Sequence, residues 1–197
     1  MKTTRAYTMS ARAESAAQTG ERILDAAVEL FWARPTDRLS LEDVASRAGV
    51  SVQTVIRRFG GKEGVLVAAV EREGRRVEAQ RATAPVGDVA AAVRVLVDHY
   101  EEMGDGVLLM LAAEPQYPGL TPIIERGREV HRQWCSRVFA PSIQASRGVD
   151  RTRLFAQLVA VCDVRTWQLL RRGSLLSRRQ TERALIELLE PLMEGSR

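Results

Sequence analysis

Apolar residues recur at helical spacing along this chain, and no segment alternates like a strand for long. Over 21–33, Ile23, Leu24, Ala27, Leu30 and Phe31 share one helical face. Ser40 opens a second helix: "SLED" places it at the N-cap with Asp43 three residues on, near a capping box. Leu41, Val44, Ala45 and Ala48 form that helix's apolar side, and Gly49, able to take positive φ, stops it. Ser51 caps a third helix that ends at Phe59, before Gly60-Gly61. A long helix follows over about 62–82. Asp88 caps a helix carrying Val89, Val93, Leu96, Tyr100 and Met103, which "GDG" at 104–106 should break ahead of the short apolar run "VLLMLAAE". Pro122 opens a helix with Ile123, Val130, Trp134 and Val138, and a long apolar helix spans about 151–172. Ser177 and Gln180 form a capping box before Leu185, Leu188, Leu189 and Leu192. The pattern predicts an all-α protein of nine helices.

Composition narrows the class. The 197 residues, 45% hydrophobic and 27% charged, are those of an ordinary globular chain with ample core. No run of about 18 apolar residues exists, so no membrane span is expected. The first twenty residues lack an apolar h-region, so no secretory signal is expected. Residues 1–18 read as a disordered polar tail, and the protein as cytoplasmic. Cys135 and Cys162 lie in apolar helical patterns without a CxxC pair, as buried free thiols do. There is no HExxH, no GxSxG and no glycine-rich phosphate loop after a strand, so neither an enzyme nor a cofactor is expected. His131 and Cys135 have a ligand-compatible spacing, but one pair does not make a metal site. Residues 1–62 hold ten basic and seven acidic side chains, and Lys2 and Lys62 are the only lysines. That excess tilts the first third toward an anionic partner.

The third helix carries the chemistry. At about 100° per residue, Val55 and Phe59 define its core side, with Gln53 and Arg57 nearly opposite. Val52 and Ile56 make one flank; Thr54 and Arg58 make the other. Two short helices joined at a glycine form a helix-turn-helix, whose second helix enters the major groove. Arg57 suits guanine O6 and N7, and Gln53 suits adenine N6 and N7. Val52 and Ile56 suit a thymine methyl. Thr54, Arg58, Lys62 and the caps Ser40 and Ser51 suit phosphate oxygens. The competing reading is a solvated arginine face beside a plain turn.

Residues 21–70 resemble the DNA-binding domain of TetR-family transcriptional regulators. The resemblance rests on "ILDAAVELF", "LSLEDVASRAGVSVQTVIRRF" and "GGKEGVL". Two departures stand out. The family usually has tyrosine where this chain has Ile56, and that hydroxyl commonly reaches a phosphate. The turn after the first helix, where the family often has glycine, carries Pro35 here. After the tail at 1–18, the resemblance implies a DNA-binding domain at 19–65 and a dimerisation and ligand-sensing domain at 66–197.

For the second domain, two apolar stripes on the helix at 151–172 point to a partner as well as a core. Leu154, Val161, Val164 and Gln168, with Leu185, Leu188, Leu189 and Leu192 of the last helix, are the expected dimer contacts. A helix buried within the monomer is the alternative. His99, Met103, Leu108, Leu111, Trp134 and Cys162 are the expected pocket residues. The reading is a homodimeric repressor released from a near-palindromic double-stranded DNA operator by a small molecule. An architectural DNA-binding protein without a ligand is the alternative, and a helical ligand carrier is a third.

Overall fold

A computed structural model of the chain describes residues 3–33, 40–116 and 120–194; the turn around Pro35 lies outside them. The described residues form ten α-helices and no strand. They are α1 (Thr3–Ala33), α2 (Leu41–Ala48), α3 (Val52–Phe59), α4 (Lys62–Ala82) and α5 (Val89–Ala113), then α6 (Thr121–Val138), α7 (Ala140–Ala145), α8 (Gly148–Val161), α9 (Val164–Gln168) and α10 (Arg178–Glu194). The chain divides into two units, residues 1–73 and 74–197, with the division inside α4.

In the first unit, α1 extends back to Thr3, through a segment read from the sequence as a polar tail. The stretch "SARAESAAQ" is rich in alanine and meets no proline or glycine before Gly20, so it favours a helix although it lacks an apolar face. The core packs Ile23, Ala26 and Ala27 of α1 against Val44 and Ala45 of α2, Val55 of α3 and Val65 of α4. Arg47 of α2 donates to Glu29 of α1 at 2.8 Å. Arg72 of α4 reaches Asp25 at 2.8 Å and Glu21 at 3.1 Å on α1.

The second unit corrects the helix map in three places. First, "GDG" does not break the chain: α5 runs unbroken from Val89 to Ala113. A Cβ at Gly104 would lie 2.6 Å from Cζ3 of Trp167, so this glycine admits a fully buried indole ring. Helical packing there outweighs the roughly 1 kcal/mol helix cost of glycine. Second, the apolar stretch at 151–172 is broken at Cys162 and Asp163. Asp163 is extended, and its side chain accepts from the Arg165 amide at 2.8 Å, capping α9. A wide turn over Leu169–Gly173 follows. Third, residues 140–145 add the short α7.

The break at Asp163 resets the helical phase, and the two stripes therefore do not keep their faces. Leu154 and Val164, read as dimer contacts, are buried in this unit's own core, as are Leu185 and Leu189 of α10. Their packing partners include Leu96, Val97, Leu158 and Trp167. Of the remaining expected contacts, Gln168 and Leu188 are exposed, and Val161 and Leu192 are half-buried. Leu169 and Leu175 are exposed too, and Leu175 has a left-handed backbone at φ 55°. The predicted capping box is present and reciprocal: the Gln180 amide donates to Ser177 Oγ at 3.3 Å, and the Ser177 amide donates to Gln180 Oε1 at 2.9 Å.

Candidate nucleic-acid interface

The turn between α2 and α3 is built by its caps. Ser40 Oγ accepts from the Asp43 amide at 3.0 Å. Gly49 takes φ 66°, and the Val50 amide donates to the Ala45 carbonyl at 2.9 Å. Ser51 Oγ accepts from the Thr54 amide at 3.2 Å and shares a hydrogen bond with the Thr54 hydroxyl at 2.9 Å. These bonds satisfy helix ends that would otherwise be orphaned. They also fix the angle at which α3 leaves α2.

The α3 side chains other than Arg58 point where their spacing implies. Val55 is fully buried and Phe59 half-buried against the first unit's core. Gln53, Arg57 and Arg58 are exposed, and Val52 and Thr54 are half-buried. Ile56 is 39% exposed, an apolar side chain held in water beside two arginines. Lys62, half-buried, starts α4 two residues after Gly60, the αL residue that closes α3. The exposed side chains thus lie on one side of a helix whose other side is core.

Arg58 has a placement that spacing did not foretell. Its guanidinium folds against α1, where a Cβ on Gly20 would lie 2.6 Å from Nε and 2.6 Å from Nη2. Gly20 leaves room for it. A glycine before "ERILDAA" is the one hint in the sequence, and a lone helical glycine does not name its neighbour.

In the second unit, three of the six expected pocket residues come together. His99, Trp134 and Cys162 are buried around Arg81, while Met103, Leu108 and Leu111 are half-buried along the later part of α5. Trp134 Nε1 donates to the Arg81 carbonyl at 3.0 Å, and the Tyr100 hydroxyl donates to the Cys162 carbonyl at 2.8 Å. Burial first, then the Arg81 and His131 charges, push His99 down to about 3. A hydrogen bond from Cys162 lowers Cys135 to about 6, aided by His131, whose Nε2 lies 3.8 Å from its Sγ. Arg81 itself escaped sequence reasoning, being one of several arginines in "EREGRRVEAQRA". Among the described residues no group of three metal-ligating side chains occurs, and no helix is long and apolar enough to cross a membrane.

The described chain is therefore a helix-turn-helix in the first unit followed by an all-helical second unit. Residues 23–69 match the family described as bacterial regulatory proteins, tetR family. Two uncharacterized HTH-type transcriptional regulators of Mycobacterium tuberculosis are 36% identical over 77 residues, 39% of this chain and 38% of theirs. The alignment thus spans well under half the length of these relatives. Among solved structures, a TetR-family transcriptional regulator of Streptomyces coelicolor shares the fold with TM-score 0.64 and 21% identity, over 91% of this chain and 96% of that one. A transcriptional regulator of Rhodococcus sp. Rha1 does so with TM-score 0.65 and 18% identity, over 92% and 97%. Residues 23–69 thus carry the sequence pattern of that family's DNA-binding domain, and the chain as a whole shares the fold of these regulators.

Proposed function

We propose that the protein is a homodimeric repressor that binds a near-palindromic DNA operator through α3 and is released by a small molecule bound in residues 74–197. The observation that carries this reading is the division of α3: Val55 is wholly buried, and Gln53 and Arg57 on the other side are exposed. Arg57 is assigned to a guanine, Gln53 to an adenine and Ile56 to a thymine methyl. Lys62 and Ser40 are assigned to phosphates. Ser51 and Thr54, already bonded to each other, serve chiefly to set the helix. Two such helices in a dimer reach successive major grooves about 34–36 Å apart.

The dimer surface is placed on the exposed leucines of the last elements, Leu169, Leu175 and Leu188, together with Gln168, Val161 and Leu192. Leu175, 83% exposed, sits in a backbone conformation that costs a branched side chain about 1–2 kcal/mol. A ligand that prefers a dimer with different helix spacing then weakens operator binding by linkage.

The test starts with selection of bound sites from random double-stranded DNA by the full chain, followed by titration of Arg57→Ala and Lys62→Ala. Arg57→Ala should cost about 1–3 kcal/mol and relax one base preference, whereas Lys62→Ala should weaken all sequences alike and lower the salt slope by about 1. If no sequence is enriched, or if neither substitution alters binding, the reading fails. Uniform binding to every duplex would favour the architectural alternative.

A further inference from the structure

We propose that Arg81 anchors an anion-binding site in residues 74–197, and that the small molecule taken there carries a carboxylate. The inference rests on the reading of this domain as an effector domain and adds the chemical class of the effector.

Arg81 lies near the end of α4 and is 5% exposed. Its Nη1 is 3.2 Å from His131 Nδ1. Its Nε is buried and has no hydrogen-bond partner. The rings of Tyr100 and Trp134 each lie 5.6 Å from the guanidinium carbon. Among the described residues no carboxylate forms an ion pair with it. Asp163, the acidic group felt by its neighbours Tyr100 and Cys162, accepts from the Arg165 amide and pairs with the Arg165 guanidinium at 3.9 Å. Buried guanidinium groups ordinarily have a counter-ion, because a charge taken out of water without one is costly. Here an imidazole, two thiols and two aromatic rings surround the charge; of these Cys135, lowered to about 6 with Arg81 among the causes, takes a negative charge near neutral pH, and none is a carboxylate that matches the guanidinium fork.

A second group points the same way. His99 is also 5% exposed, and its Nδ1 has no partner. Burial keeps this imidazole neutral, so in one tautomer Nδ1–H is a donor awaiting an acceptor. Both side chains lie against Tyr100, the His99 ring 5.2 Å and the Arg81 guanidinium carbon 5.6 Å from its ring, and each keeps one buried nitrogen without an acceptor. The planar guanidinium fork matches a carboxylate, and the flanking Tyr100 and Trp134 rings suit an apolar remainder. A phosphate dianion would need more donors than one fork and one imidazole provide.

The site is held independently of its charge. The Arg81 carbonyl accepts from Trp134 Nε1 and from Arg137 Nη2, both at 3.0 Å, so the helix end stays in place whatever side chain position 81 bears. The guanidinium is closed off from solvent, so the ligand enters by displacing side chains.

The experiment follows thermal unfolding of the full chain with octanoate and benzoate, each beside its uncharged amide, at millimolar concentration. At least one carboxylate should raise Tm while its amide does not, since a ligand of the native state stabilises it by mass action. Arg81→Met keeps the apolar stem and should weaken the apparent affinity at least tenfold. Arg81→Lys keeps the charge but not the fork, guards against a variant that fails to fold, and should weaken it as well. Silence of both carboxylates, equal shifts by the amides, or undiminished shifts in the variants overturns the proposal. If the carboxylates are silent and a neutral compound raises Tm, the anion is refuted and the effector reading stands. If an Arg81-dependent carboxylate leaves operator affinity unchanged, the anion site is upheld and release by it is refuted.

Discussion

Replacing His99 by phenylalanine should remove a defined part of the protein's acid sensitivity. His99 is buried in α5, its ring 5.2 Å from that of Tyr100, and its imidazole is held down to about 3 against an ordinary 6.5. A histidine with a lowered pKa costs stability on acidification: above about 6.5 neither state is protonated, and below it only the unfolded chain takes up the proton. The stability is therefore present at neutral pH and is lost as pH falls from about 6.5 toward 3. From about pH 7.5 to about pH 5, linkage gives a loss of RT ln(1 + 10^1.5), or roughly 2 kcal/mol. That is a sizeable share of the 5–15 kcal/mol typical of a domain. Urea unfolding at the two pH values, followed by the fluorescence of Trp134 and Trp167, measures it. Glu101 adds its own acid sensitivity. Burial would raise it, but hydrogen bonds from Arg171 and Trp167 outweigh that and lower it. This contribution cancels between wild type and His99→Phe. The variant should lose about 2 kcal/mol less than wild type over the interval. Equal losses would show that His99 titrates as a solvated histidine, and the buried cluster as described would be untenable.

Two glycines give opposite outcomes. Gly104→Ala should destabilise by about 1–2 kcal/mol, because overpacking against a fixed indole outweighs the gain in helix propensity. The Trp167 ring cannot yield, since its Nε1 donates to Glu101 at 3.2 Å and Arg171 holds that carboxylate at 2.8 Å. Gly20→Ala should instead stabilise the first unit by about 0.5–1 kcal/mol, since only the flexible end of Arg58 must move; chemical denaturation reports both. Ser177→Ala should cost about 1 kcal/mol through the lost cap on α10, read as a lowered urea midpoint with unchanged slope. Leu175→Asp and Leu188→Asp should leave the helical circular dichroism intact and shift sedimentation from dimer toward monomer; persistence of a dimer would place its surface elsewhere.

Local signals decided what was readable. Ser40, Gly49, Ser51, Asp88 and the Ser177–Gln180 pair all cap helices where their residue types imply, because a cap is chemistry between near neighbours. The faces of α3 were legible for the same reason, since eight residues leave little room for phase error. Longer inferences failed where tertiary packing intervened. Gly104 looked like a breaker until the Trp167 ring was seen against it. Asp163 shifted the phase of a stretch that reads as one helix, and Val164 turned inward with it, whereas Leu154, ahead of the break on α8, packs into the core beside Leu158. Arg81 and its neighbours come from α4, α5 and α6 and from the end of α8, so no spacing along the chain could bring them together.

Ile56 changes how binding should respond to temperature rather than to salt. A tyrosine hydroxyl on a phosphate trades one solvated polar pair for another and leaves the heat capacity nearly untouched. An isoleucine 39% exposed in the free protein sheds ordered water from apolar surface when a thymine methyl covers it. Operator binding should therefore carry a more negative heat-capacity change than in an Ile56→Tyr variant. The enthalpy of association then falls more steeply on warming, and a cell growing across a range of temperatures would feel this contact as a thermal bias on DNA occupancy.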